Sequence, residues 1–155
     1  MPEHEDHSAL IAKNRKALHD YEVLETLEAG IALTGTEVKS CRARNVPLQD
    51  ACALVENGEV LLHNAHINEY EMGNRFNHEP KRVRKLLVHR SEIRKLKQQT
   101  EQKGFTLVPL SFYLKRGKVK VSLGVCRGKT LGDKRQTLRR KEDERAMRRA
   151  LRARR

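Results

Sequence analysis

Apolar and polar residues alternate over short stretches of the chain, broken by clusters of turn formers. The run YEVLETLEAGIAL, Tyr21 to Leu33, alternates as a half-buried strand does, with Gly30 marking a bend or bulge. Thr34 followed three residues later by Glu37 has the spacing of a capping box, which opens a short helix through about Arg44; Pro47 then stops it. Ala51 to Glu56 and Glu59 to His63 alternate again. Between them stands Asn57-Gly58, the pair that a two-residue hairpin turn favours because both central positions need positive φ. Residues 64 to 84 follow no period and hold Asn, Gly, His and Pro, which predicts a long loop, the kind that carries function or moves. Lys85 to His89 reads as a strand, and Ser91 as the N-cap of a helix running to about Lys103, closed by Gly104. Thr106 to Lys115 and Val119 to Cys126 alternate on either side of Arg116-Gly117 and predict a second hairpin.

About six short strands with two or three helices suit a β-rich fold, an OB-type, partly open Greek-key barrel, with an α+β sandwich as the second choice. The barrel is expected over residues 13–127, behind a disordered leader at residues 1–12. After Gly132 there is no Gly or Pro, and the residues are good helix formers. Leu138, Met147 and Leu151 are too few to offset the entropy of ordering the segment. The tail, residues 128–155, is therefore expected to be disordered when free and helical against RNA.

Charge changes this picture once it is localised. The chain of 155 residues has a formal net charge of +13, yet residues 1–80 hold 7 basic and 14 acidic groups. Residues 81–97 hold 8 and 1, and residues 127–155 hold 13 and 4. A central patch and a tail of this kind are the electrostatic footprint of a partner with a phosphate backbone, although charge alone does not choose among nucleic acid, an acidic membrane and an acidic protein. Membrane is the weakest of these, since no apolar run approaches the roughly 18 residues a spanning helix needs and the tail has no wide apolar face. Met1 to His7 lack the basic and apolar regions of a secretory signal, so the expected location is the cytoplasm. Cys41, Cys52 and Cys126 are widely spaced and odd in number, which speaks for free thiols rather than disulfides.

Motifs for chemistry are weak. Gly128-Lys129-Thr130 resembles the end of a P-loop, but the first glycine that motif requires falls at Leu123, which leaves a basic hinge between barrel and tail as the alternative reading. His63 and His66, like His4 and His7, are spaced as H-x-x-H, yet the cysteines supply no thiolate pair to complete a zinc site. No paired-carboxylate or Ser/Cys nucleophile pattern appears, so neither enzyme activity, metal nor cofactor is expected. Asn64, His66 and Tyr70 either present hydrogen-bonding and stacking groups to RNA or simply close a strand end. The loop Gly73 to His78, with Phe76 among amides and followed by Lys81, Arg82, Arg84 and Lys85, has the mixture with which exposed bases are read and phosphates held.

Several segments, in this order, resemble the SmpB family of SsrA-binding proteins: Asn14 to Ala17, His19 to Tyr21, Glu28 to Ile31, Gly35 to Ser40, Gly73 to His78, Arg84 to Leu87, Lys103-Gly104, Leu107 to Leu110 and Asp133 to Arg135. The resemblance covers residues 14–135. It implies an OB-type barrel that binds tmRNA and carries it to stalled ribosomes for trans-translation. The protein would stand in for the anticodon arm at the small-subunit decoding centre, as a monomer, while its tail enters the empty mRNA channel. Carried over by position, Asn14, Lys16, Glu37, Lys39, Ser40, Asn64, His66, Tyr70, Asn74, Arg75 and His78 would form the tmRNA face. His19, Lys129, Asp133, Lys134 and Arg135 would face the ribosome. A carboxylate repels phosphate, so Glu37 is expected either to accept from a base amine or to fix a basic neighbour, and Glu37→Ala to weaken recognition with the fold intact. Gly132 stands where the family often has an aromatic residue, and Arg145 to Arg155 are matched only as a segment. A general ribosome-associated RNA-binding protein and an RNA-processing enzyme are the competing readings.

Overall fold

The computed structural model describes residues 9–44, 46–129 and 131–153, without the side chains of 74–76, 131–138 and 153. Its first hairpin forms where the turn chemistry requires: β3 (Cys52–Glu56) and β4 (Glu59–His63) are joined by Asn57 and Gly58 at φ 50° and 76°. The second, β6 (Thr106–Lys115) with β7 (Lys118–Gly128), repeats that geometry at Arg116 and Gly117, φ 52° and 77°. β2 (Tyr21–Ile31) runs antiparallel to β7 from Tyr21 opposite Gly128 to Gly30 opposite Lys120. Its bulge falls between Val23 and Glu25 rather than at Gly30. Gly30 instead passes close to β5 (Arg84–Leu87), where a Cβ would come within 3.1 Å of the Leu87 side chain.

These strands close on themselves: β2 pairs β7, β7 pairs β6, β6 pairs β3, β3 pairs β4, β4 pairs β5 and β5 returns to β2. Two seams are thin. β3 meets β6 only at Ala53 and Leu107, and β2 meets β5 only at Gly30 and Ile31, so the barrel is partly open. Inward positions alternate along each strand and bury Val60, Leu62, Leu86, Leu107, Phe112, Val121, Leu123 and Val125. Removing such a side chain from water contributes about 1.5–3 kcal/mol each. α2 (Gly35–Arg42) starts at Thr34 as its capping spacing predicts and buries Cys41. α3 (Arg90–Glu101) starts at His89, two residues before the expected Ser91 cap, and inserts Leu96 into the core with Ile93 packed against it.

Three elements depart from the expected layout. Residues 1–8 lie outside the described residues, but residues 9–12, expected in the leader, belong to a strand. β1 (Ala9–Lys13) pairs with β6 from Ala9 opposite Leu114 to Lys13 opposite Ser111, making a seventh strand. α1 (Arg15–Asp20) follows at once, capped by Asn14. A short 3-10 helix, Glu71–Phe76, interrupts the long loop. Gly128, taken as a hinge, ends β7 opposite Tyr21, and α4 (Leu131–Ala153) begins three residues later. α4 is helical in this structure, whereas the expectation of disorder concerns the free tail in solution.

Candidate nucleic-acid interface

The strand alternation of β5 puts Arg84 on the same inner face as Leu86, and both are fully buried. Opposite stands Glu37, in the first turn of α2 and also without exposed surface. Glu37 Oε1 accepts from the Thr34 backbone N–H at 2.9 Å and from Arg82 Nη2 at 2.5 Å, and Oε2 accepts from Arg84 Nε. The remaining four Arg84 N–H groups go to the carbonyls of Ala65 (2.8 Å), Arg82 (3.0 Å), Pro80 (3.0 Å) and Glu79 (3.4 Å). Every guanidinium donor is thus used, the condition under which a buried ion pair is tolerated. Burial raises the Glu37 pKa, but Arg82, the Thr34 N–H and Arg84 together outweigh it and hold the carboxyl below its ordinary range. Glu37 therefore stays ionised and fixes basic neighbours. It has no surface with which to accept from a base, so of its two expected roles the second is the one the geometry allows.

Three more residues expected on the RNA face point inward. Asn14 is 2% exposed; its Oδ1 caps Ala17 N–H at 3.1 Å, and its Nδ2 donates to the carbonyls of Leu48 and Pro109, both at 3.0 Å. Its amide is spent on joining α1 to β6 and to the loop that precedes β3. His78 donates from Nε2 to the Ile67 carbonyl at 2.8 Å, because a carbonyl can only accept; in the neutral ring Nδ1 then accepts from the Thr36 hydroxyl at 2.9 Å. Ser40 is 1% exposed and its hydroxyl has no partner among the described residues.

What remains at the surface is a compact polar face. Pro47, Gln49, Asp50, Asn64, His66 and Lys81 line an open groove, and Lys16 reaches Asp50 at 3.4 Å beside it. Asn64 stands exposed at φ 59°, at the end of β4. Along the same loop Lys39 of α2 lies over the Tyr70 ring, 5.5 Å from its centroid. Asn77 then pins Tyr70 by accepting from its N–H at 3.0 Å and donating to its carbonyl at 2.6 Å. Asn74 and Arg75 sit on the intervening 3-10 helix; their side chains lie outside the described residues. The arrangement offers amide, imidazole, ammonium and aromatic groups on a loop that the Glu37–Arg84 pair holds against α2.

A second group forms at the root of the tail. His19 Nδ1 and Asp20 Oδ1 are 2.9 Å apart, the Lys129 backbone N–H donates to the Asp20 carbonyl at 2.9 Å, and Lys129 Nζ donates to the Leu18 carbonyl at 3.2 Å. α1 and the start of the tail are thereby tied together. Asp133, Lys134 and Arg135 follow on α4, with side chains outside the described residues.

The SmpB protein family model matches residues 11–153, barrel and tail alike. The chain belongs to the SmpB family. An SsrA-binding protein of Levilactobacillus brevis is 58% identical over 142 residues, covering 92% of this chain and 90% of that one. One of a Nostoc species is 59% identical over 143 residues, covering 92% of each. A chain of the solved structure described as "tmRNA-SmpB: a journey to the center of the bacterial ribosome" is 54% identical, with a TM-score of 0.66 over 77% of this chain and 85% of that one. In this SmpB chain Lys81, Arg82 and Arg84, read from the sequence as a run that holds phosphates, divide: Lys81 lines the groove, while Arg82 and Arg84 are spent on Glu37 and shape the face together with Thr36 and Asn77, to which sequence reading gave no role of their own. The period of β5, Arg84 and Leu86 in, Lys85 and Leu87 out, was the available signal for Arg84. Among the described residues no cluster of His, Cys, Asp or Glu is placed to hold a metal, and no helix is long and apolar enough to cross a membrane. Burial pushes the Cys41 and Cys126 thiols up to about 12 and about 11, so neither is a reactive thiolate.

Proposed function

We propose that this chain binds tmRNA (SsrA RNA) and delivers it to stalled ribosomes for trans-translation, standing in for an anticodon arm while its C-terminal tail enters the empty mRNA channel. The observation that carries the reading is the match of sequence to the SmpB family along both barrel and tail, with a match of fold over 77% of the chain. Lys16, Lys39, Asn64, His66, Tyr70 and Lys81 are the side chains assigned to direct tmRNA contact, together with the Asn74–Arg75 loop. Asn14, Glu37, Ser40 and His78 support that face from inside. His19, Lys129 and Asp133 to Arg135 orient the tail toward the decoding centre. On this reading residues 9–128 are the RNA-binding barrel, and residues 129–155 are a tail that is disordered when free and helical on the ribosome. The protein acts in the cytoplasm as a monomer and a binder, without cofactor or catalysis.

Competition binding tests the reading. The tRNA-like part of tmRNA should be preferred to an ordinary folded RNA at near-physiological salt, where nonspecific phosphate contacts are weak. Equal affinity for both would instead indicate a general RNA-binding protein, and RNA cleavage by the purified chain would indicate a processing enzyme.

A further inference from the structure

α3 carries Arg90, Arg94 and Lys97, spaced by four and three residues, so the three lie on one face of the helix, and all three are exposed. Their neighbours are neutralised: Lys95 pairs with Glu25 at 3.1 Å, and Lys85 with Glu59 at 3.2 Å. Among the described residues no carboxylate forms an ion pair with Arg90, Arg94 or Lys97. Glu101 continues the same face one turn beyond Lys97, and Glu92 lines a depression with Lys95 on the other side of the helix.

The order of these charges works against the helix itself. A helix favours bases in its last turn, next to its negative pole. α3 begins with Arg90, has no base in its last turn and ends on Glu101. The stability of α3 does not account for Arg90, Arg94 and Lys97, which leaves their charges free for an outside partner. The stripe has no aromatic side chain on which a base would stack, and its three exposed cations follow one another along a single helix face. That chemistry suits the phosphate backbone of structured RNA rather than single-stranded bases. Its position separates it from the tmRNA face: the groove and the Glu37–Arg84 pair adjoin the start of β5, whereas α3 leaves from the end of that strand.

We propose that the Arg90–Arg94–Lys97 face of α3 is a phosphate contact for ribosomal RNA, distinct from the tmRNA face and from the tail. The proposal rests on the reading that the chain works at the ribosome. The test is the full chain carrying R90Q, R94Q and K97Q together, titrated over a salt series against purified ribosomes and, separately, against the tRNA-like part of tmRNA. For ribosomes the log–log salt slope should fall by about 2 to 3, as expected for three lost phosphate contacts. Affinity for the tmRNA fragment should not change, and the melting temperature should be no lower than that of the parent. An unchanged ribosome slope overturns the proposal, as does a matching loss on the tmRNA fragment, which would give the stripe to tmRNA. A lower melting temperature would show that the charges serve the fold instead. Failure of the parent chain to bind ribosomes or tmRNA at all would count against the functional reading, and is recognised before any substitution is made.

Discussion

In the barrel, Glu37 and Arg84 have no exposed surface and every donor of the guanidinium is engaged; in the tail, Arg139 through Arg152 are all exposed. The same residue types thus do opposite work. Buried charges in the barrel hold the loop of residues 64–84 in shape and so place the amide, imidazole and aromatic groups of the proposed tmRNA face. The exposed charges of residues 139–152 of the tail stand clear of the barrel and are available to phosphate. Losing a charge should therefore unfold the first region and merely weaken the second.

The largest effect is expected at Glu37. Glu37→Gln leaves the buried Arg84 without its counter-charge and should destabilise the barrel by about 3–5 kcal/mol. Denaturant melts check this, and the result replaces the expectation that Glu37→Ala spares the fold. A loss of tmRNA affinity at unchanged stability would instead make Glu37 an RNA contact. Asn14→Ala removes a helix cap and strands the Leu48 and Pro109 carbonyls, for about 2 kcal/mol. Its melt should shift while tmRNA affinity, measured well below the transition, stays close to that of the parent.

Acid separates the regions by sign. The folded Glu37 carboxyl is held below its ordinary range, so its contribution is complete above the unfolded pKa and is lost as pH falls through the lower folded value. The barrel should lose stability as pH drops below the usual carboxylate range, and the Glu37→Gln variant should lose less over the same window. A variant as acid-sensitive as the parent would remove Glu37 from the account. The smallest effect concerns the tail alone: as a separate peptide it should give a coil-like circular dichroism spectrum and gain helix on adding RNA, since its apolar content is too thin to hold it. A stable helix without a partner would contradict that.

Much of the fold was legible because local chemistry decides it. Asn57-Gly58, Arg116-Gly117 and the Thr34–Glu37 spacing each dictate a turn or a helix start, and the structure has them there. β1 was not legible, since Ala9–Lys13 has little alternation and owes its conformation to β6, about a hundred residues away. The site was harder for the same reason. Asn14, Glu37, Ser40 and His78 are polar types that serve RNA or the interior equally well, and only the path of the chain decides which. Lys16, Lys39, Asn64, His66 and Tyr70 stayed at or near the surface because they fall on an outer helix face, a strand end or a loop.

The division between barrel and tail is tested most directly by a chain ending at Gly132, assayed for binding to the tRNA-like part of tmRNA and for peptide tagging on stalled ribosomes. The account predicts nearly unchanged tmRNA affinity with tagging lost. Collapse of tmRNA affinity in the truncated chain, or tagging that survives without the tail, would contradict it.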